Sequence, residues 1–230
     1  MTPTPNALTL VQTLRGQLEA IEHQIRQHRY IDAVETGELG REQLRYFVGE
    51  QWRIIPGDLR SIALLISRCE DAASQLFFRN VLQGEAAALD ALDPLATAVG
   101  LSPVDREAYE PTPGAQAYSA YLAYLCLYGS AAEVAATLSV NFAAWGANCD
   151  RLGRALRQRY DFQDVEVRFF TQFAAAPTEV SSEALELIEA GLQLEGAAPR
   201  IMRAARMLQG YELLFWDTVY DLSMGGPSHA

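Results

Sequence analysis

Histidine is scarce in this 230-residue chain: His23, His28 and His229 are the only three. So few imidazoles, so widely spread, do not furnish the facing histidine and carboxylate ligands of a dinuclear centre, and no metal is expected. Cysteine is equally sparse. Cys69, Cys126 and Cys149 fall at wide spacing inside helical patterns, which suits small buried hydrophobes in a reducing compartment better than disulfides or zinc ligands. No arginine or lysine run exceeds two residues, and the net charge is −11 with a pI near 4.7. Without an electropositive face nothing holds a phosphate backbone, which excludes nucleic acid as a partner. Long hydrophobic runs are missing too, none approaching the roughly eighteen residues of a membrane span. Thr2-Pro3-Thr4-Pro5 is a polar start without a charged leader and apolar run, so the chain is expected in the cytoplasm, away from membranes. Finally, there is no Ser/Gly-rich linker, no long internal repeat and no strand-like alternation with hairpin turns. One all-α domain over residues 1–224 is expected, followed by a disordered tail, 225–230.

What the chain does contain is helical periodicity. After Asn6, the residues Val11, Leu14, Leu18, Ile21 and Ile25 form one apolar face that stops near His28. A short helical turn over 30–36 ends at Gly37, a natural left-handed cap. The next helix runs from Arg41 toward Cys69 and should kink at Pro56, whose ring removes a backbone donor. Another spans about 72–99, with Gly84 and Pro94 as weak points. A loop rich in proline and acidic residues, 102–114, divides the chain in two. Helices follow at about 115–128 and 131–157, the second opened by a capping box of Ser130 and Glu133. A shorter helix over 165–176 is closed by Pro177, the next is capped by Ser182, and the last starts at Pro199 and ends near Ser223. The pattern predicts a bundle of seven or eight helices.

The last helix carries the strongest functional signal. Leu208, Phe215 and Val219 lie on one apolar stripe, and Glu212 falls inside it. An inward carboxylate costs several kcal/mol unless it finds a partner, takes up a proton or borders a cavity. Glu212 is therefore the first candidate for chemistry.

The order Tyr211-Glu212-Leu213-Leu214-Phe215-Trp216-Asp217 also resembles the last helix of the TenA (thiaminase II) proteins. Other segments are similar in the same order: His28-Arg29-Tyr30 nine residues before Gly37, the stretch Glu38 to Phe47, and the Ser130 break followed by Glu133. The resemblance implies the all-α, heme-oxygenase-like fold that the family shares with the PQQ-synthesis protein PqqC. It also implies a small-molecule ligand in a central pocket, no cofactor, and a homodimer or homotetramer.

Carried over residue by residue, the resemblance makes Glu212 a proton carrier and Tyr118 a donor that orients the substrate. The family's anchoring aspartate falls on Gln51, beside Glu50. Its nucleophilic cysteine falls on Asn141 or, one helical turn further, on Trp145, and its second site tyrosine falls near Phe173. Glu50, Gln51, Asn141, Trp145 and Phe173 are thus the expected substrate-binding residues. Cys149, two turns beyond Asn141, is rotated by about 80° and does not replace the nucleophile. A mechanism through a thiolate is therefore not expected. What the resemblance then implies is hydrolysis at a C–N bond of a small nitrogen heterocycle, of the thiamin-pyrimidine salvage type. The alternatives are a non-catalytic binding or regulatory homologue and a cofactor-free oxidase like PqqC. Diiron oxygenases of the same fold have a histidine seven residues after a helix glutamate, whereas Glu85 here is followed by Leu92. His23, the nearest counterpart of a heme ligand, is offset by one residue and so points about 100° away.

Overall fold

Side-chain caps decide where these helices begin. The computed structural model describes residues 6–175 and 179–225; the polar start, the stop at Pro177, His229 and all but Gly225 of the tail lie outside the described residues. In α1 (Ala7–Arg26) the Asn6 side chain accepts the Thr9 N–H at 2.8 Å. In α2 (Arg29–Thr36) the His28 Nδ1 accepts the Tyr30 N–H at 3.1 Å, and Gly37 closes the helix at φ 77°. A 3-10 turn, Arg41–Leu44, leads into α3 (Arg45–Arg68), which contains Pro56, and α4 (Ala72–Ala98) follows Asp71.

The expected loop over 102–114 holds a helix of its own, α5 (Pro103–Ala108). Its capping box supplies the reason: Asp105 N–H donates to Ser102 Oγ at 3.2 Å, and Ser102 N–H donates to the Asp105 carboxylate at 3.1 Å. Beyond it come α6 (Pro113–Tyr128), α7 (Ala131–Tyr160), α8 (Arg168–Ala174), α9 (Ser182–Gly191) and α10 (Ala197–Ser223). Ser130 and Glu133 cap α7 as expected, whereas Ser181 rather than Ser182 caps α9. Ten α-helices occur among the described residues, eight of them with eight residues or more. Of the two shorter ones, α8 falls within the expected helix over 165–176 and α5 alone is new, and no strand occurs among the described residues.

The helices form one domain in which α3 packs against α4 and α6, while α10 packs against α6, α7 and α1. At one end of this core Phe47 sits among aromatic rings, with centroids 5.9 Å from Trp216, 5.9 Å from Phe215, 5.3 Å from Phe170 and 6.2 Å from Trp145. Each such pair adds about 0.5–1.5 kcal/mol beyond the burial of its area. The rings make a stiff wall between α3, α7, α8 and α10. No helix among the described residues is long and apolar enough to cross a membrane.

Candidate active site

Between α3, α4, α6, α7, α8 and α10 the side chains leave a narrow cleft. One wall is aromatic: Trp145, Phe173 and Phe215 line it, with Trp145 edge-on to Phe173 at 5.9 Å. Ile54, Ile55, Ile62, Val81, Leu122, Leu138 and Phe142 complete the apolar surface. The polar lining is Gln51, Asp58, Glu85, Tyr118, Asn141 and Glu212. No arginine or histidine lines the cleft, and the chain contains no lysine at all.

Glu212 turns inward as its place in the apolar stripe requires, with 1% of its surface exposed. Trp216, one turn along α10, donates its indole N–H to one carboxylate oxygen at 3.2 Å, and the Asn141 amide donates to the other. Among the described residues it forms no ion pair, and the Arg26 charge acts on it more weakly than burial and the two donors. Arg53 spends its guanidinium on the backbone carbonyls of Glu107 and Tyr109 instead. Burial is the main influence on the acid and outweighs the two donors, so its pKa is pushed up to about 8. At neutral pH it holds a proton it can give away.

Asn141 fixes the neighbouring group. Its amide nitrogen also donates to Gln209 Oε1 at 3.1 Å, so its oxygen faces Tyr118, which donates to it at 2.9 Å. Tyr118 thus departs from the expected role. Its hydrogen is used within the protein, and it offers lone pairs to the cleft. Burial, followed by the charges of Asp58, Glu212 and Glu85, holds its hydroxyl well above the ordinary tyrosine range. Tyr121, Tyr124 and Tyr128 do not join it but stack on one another along the outer face of α6, with centroids 5.2–5.8 Å apart.

Gln51, Asn141, Trp145 and Phe173, expected at the pocket, all line the cleft. Glu50 does not. It lies behind α3, where its carboxylate accepts from the Thr112 N–H at 2.9 Å, the Thr112 hydroxyl at 2.8 Å, Gln116 Nε2 at 2.7 Å and the Tyr109 hydroxyl at 3.2 Å. It holds the start of α6 in place, because adjacent residues on a helix face directions about 100° apart and only one of Glu50 and Gln51 can reach the cleft. None of the three cysteines lines it either. Cys149 is fully buried, and burial holds its thiol well above the usual range, so no thiolate is at hand.

Sequence reasoning missed two lining carboxylates. Asp58 on α3 takes one hydrogen bond, from the Ser119 hydroxyl, and Glu85 on α4 takes none among the described residues. Burial raises both pKa values, and the nearby Asp58 charge lifts Glu85 further. The signal was present in the spacing. Ile54, Asp58 and Ile62 share one face of α3, and Phe78, Val81, Glu85 and Leu92 share one face of α4.

An all-α bundle with an acidic, aromatic-walled cleft and an inward glutamate on its last helix defines a member of the heme-oxygenase-like fold. The sequence model of the TENA/THI-4/PQQC family matches residues 15–222, and the chain belongs to that family. Among relatives, it is 26% identical to the 4-aminobenzoate synthase of Chlamydia trachomatis, over 85% of this chain and 86% of that one. Among solved structures, a TenA homologue from Pseudomonas syringae superposes with a TM-score of 0.79 at 14% identity, covering 96% of this chain and 98% of the other. A domain of unknown function from Shewanella denitrificans with a heme-oxygenase-like fold reaches a TM-score of 0.77 at 15% identity, covering 98% of both chains.

Proposed function

We propose that this protein binds a small planar nitrogen heterocycle in the cleft and hydrolyses a C–N bond of it, in the manner of thiamin-pyrimidine salvage, with Glu212 as the acid and base. One observation carries the reading: Glu212 is buried, borders open space, and keeps its proton near neutral pH. For an aminomethyl heterocycle the steps balance as follows. Glu212 gives its proton to the leaving amine nitrogen, water attacks the carbon as the C–N bond breaks, and the Glu212 carboxylate takes a proton from that water. The products are an alcohol and ammonia. Gln51 and Asn141 would position the heterocycle, Tyr118 would accept a hydrogen bond from it, and Trp145, Phe173 and Phe215 would stack on its faces.

The test is turnover of aminomethyl- or formylaminomethyl-pyrimidine. Glu212→Gln is expected to lower kcat at least about a hundredfold while circular dichroism and thermal unfolding stay near those of wild type. A second reading, a binding or regulatory protein without catalysis, draws on the absence of any thiol in the lining. Calorimetric binding of the pyrimidine with no turnover by wild type would establish it. The activity named for the chlamydial relative is not carried over, since 4-aminobenzoate bears a carboxylate and the lining has three acids and no cation. A homodimer or homotetramer is proposed with this reading, to be checked by light scattering.

A further inference from the structure

We propose that the Asp58 and Glu85 end of the cleft is a subsite for a protonated amine or amidine carried by the ligand, distinct from the site of Glu212. The inference deepens the proposed function and rests on the same cleft. Its ground is a set of acceptors left without donors. Asp58, 4% exposed, receives only the Ser119 hydroxyl, on one of its two oxygens. Glu85 receives no hydrogen bond among the described residues, yet it faces the same space. Gln51, 5% exposed, also lines the cleft, and its amide has no hydrogen-bond partner among the described residues. Buried polar groups are rarely left so, and Asp58 and Gln51, with the half-buried Glu85 beside them, call for an occupant that supplies N–H groups.

The charge pattern says which kind. Two acids placed so that the Asp58 charge bears on Glu85, with no arginine, lysine or histidine in the lining, repel anions and gain from a cation that lets both ionise. Tyr118 feels the charges of Asp58, Glu212 and Glu85, and Glu85 feels that of Asp58. All three acids share the cleft with Tyr118. A metal ion fits less well than an organic cation, because no group of three or more metal-ligating side chains occurs among the described residues.

Benzylammonium and benzyl alcohol share a shape and differ in charge, so they probe the subsite directly. Calorimetric titration of the full-length protein should find benzylammonium bound more tightly than benzyl alcohol by about tenfold or more, as charge-assisted hydrogen bonds confer. In the Asp58→Asn, Glu85→Gln double variant that preference should fall to near unity while benzyl alcohol binds as before. Equal affinities in wild type, no measurable benzylammonium binding, or a preference surviving in the double variant would each overturn the inference. If the double variant does not fold, the comparison in wild type alone decides. Pyrimidine turnover separates the two proposals: a charge preference without turnover removes the hydrolase and keeps the subsite, and turnover without a preference does the reverse.

Discussion

Glu50 and Asp58 lie on the same helix, about two turns apart, and both are buried, yet they live in opposite circumstances. Glu50 collects four hydrogen bonds from Tyr109, Thr112 and Gln116, whereas Asp58 has one, from Ser119. The first acid is fully engaged by protein and holds the α5 and α6 segment against α3. The second is left short of donors beside open space. Burial alone therefore does not mark a functional acid in this fold; what marks it is burial with unused hydrogen-bonding capacity.

The largest test of that contrast is Glu50→Ala. It strands four donors around a site with 0% exposure, and breaking such a network is expected to cost about 3–5 kcal/mol, read from the urea midpoint. A loss below about 1 kcal/mol would mean that Glu50 is no more engaged than Asp58. Next comes Gly49→Ala. A Cβ at Gly49 would stand 2.3 Å from the Tyr109 ring, pushing away one of the Glu50 donors, at about 1–3 kcal/mol.

The under-engaged side is tested by pH. Glu212 titrates near 8 in the fold, against 4.5 when exposed, so between those values the folded state holds a proton that the unfolded state has lost. Its contribution is fully present below pH 4.5 and is lost as pH rises through 8, with a slope of at most about 1.4 kcal/mol per pH unit. Glu212→Gln should flatten this decline in stability measured from pH 5 to 9, leaving a remainder from Asp58 and Glu85. An unchanged slope would show that Glu212 is ionised throughout. Smallest of all should be Asp58→Asn. With one hydrogen bond to disturb and a buried acid removed, it should change stability by less than about 1 kcal/mol near neutral pH and stabilise the protein in alkali.

The helices were legible wherever a cap stood beside a clear apolar stripe, as at Asn6, Gly37 and Ser130. α5 escaped because its capping box sits among prolines and opens a helix of only six residues, with no buried residue to give a period. Of the site, Glu212 was readable because large apolar side chains on one stripe bracket it. Asp58 and Glu85 follow Gly57 and Gly84, and a glycine before a polar residue reads as a break in the helix rather than as a wall of a cavity. Glu50 was misplaced for a related reason. Polarity in an apolar helix shows that something inside needs it, and only the third dimension shows whether that is a ligand or the next helix.

The direction of the Tyr118 hydroxyl has one last consequence. With its hydrogen committed to Asn141, the phenol offers the cleft lone pairs alone, and the donors facing a guest are the Gln51 amide and the proton that Glu212 keeps near neutral pH. A guest stripped of N–H groups, through methylation for instance, would keep its ring against the aromatic wall but lose the phenol oxygen as a partner for its edge.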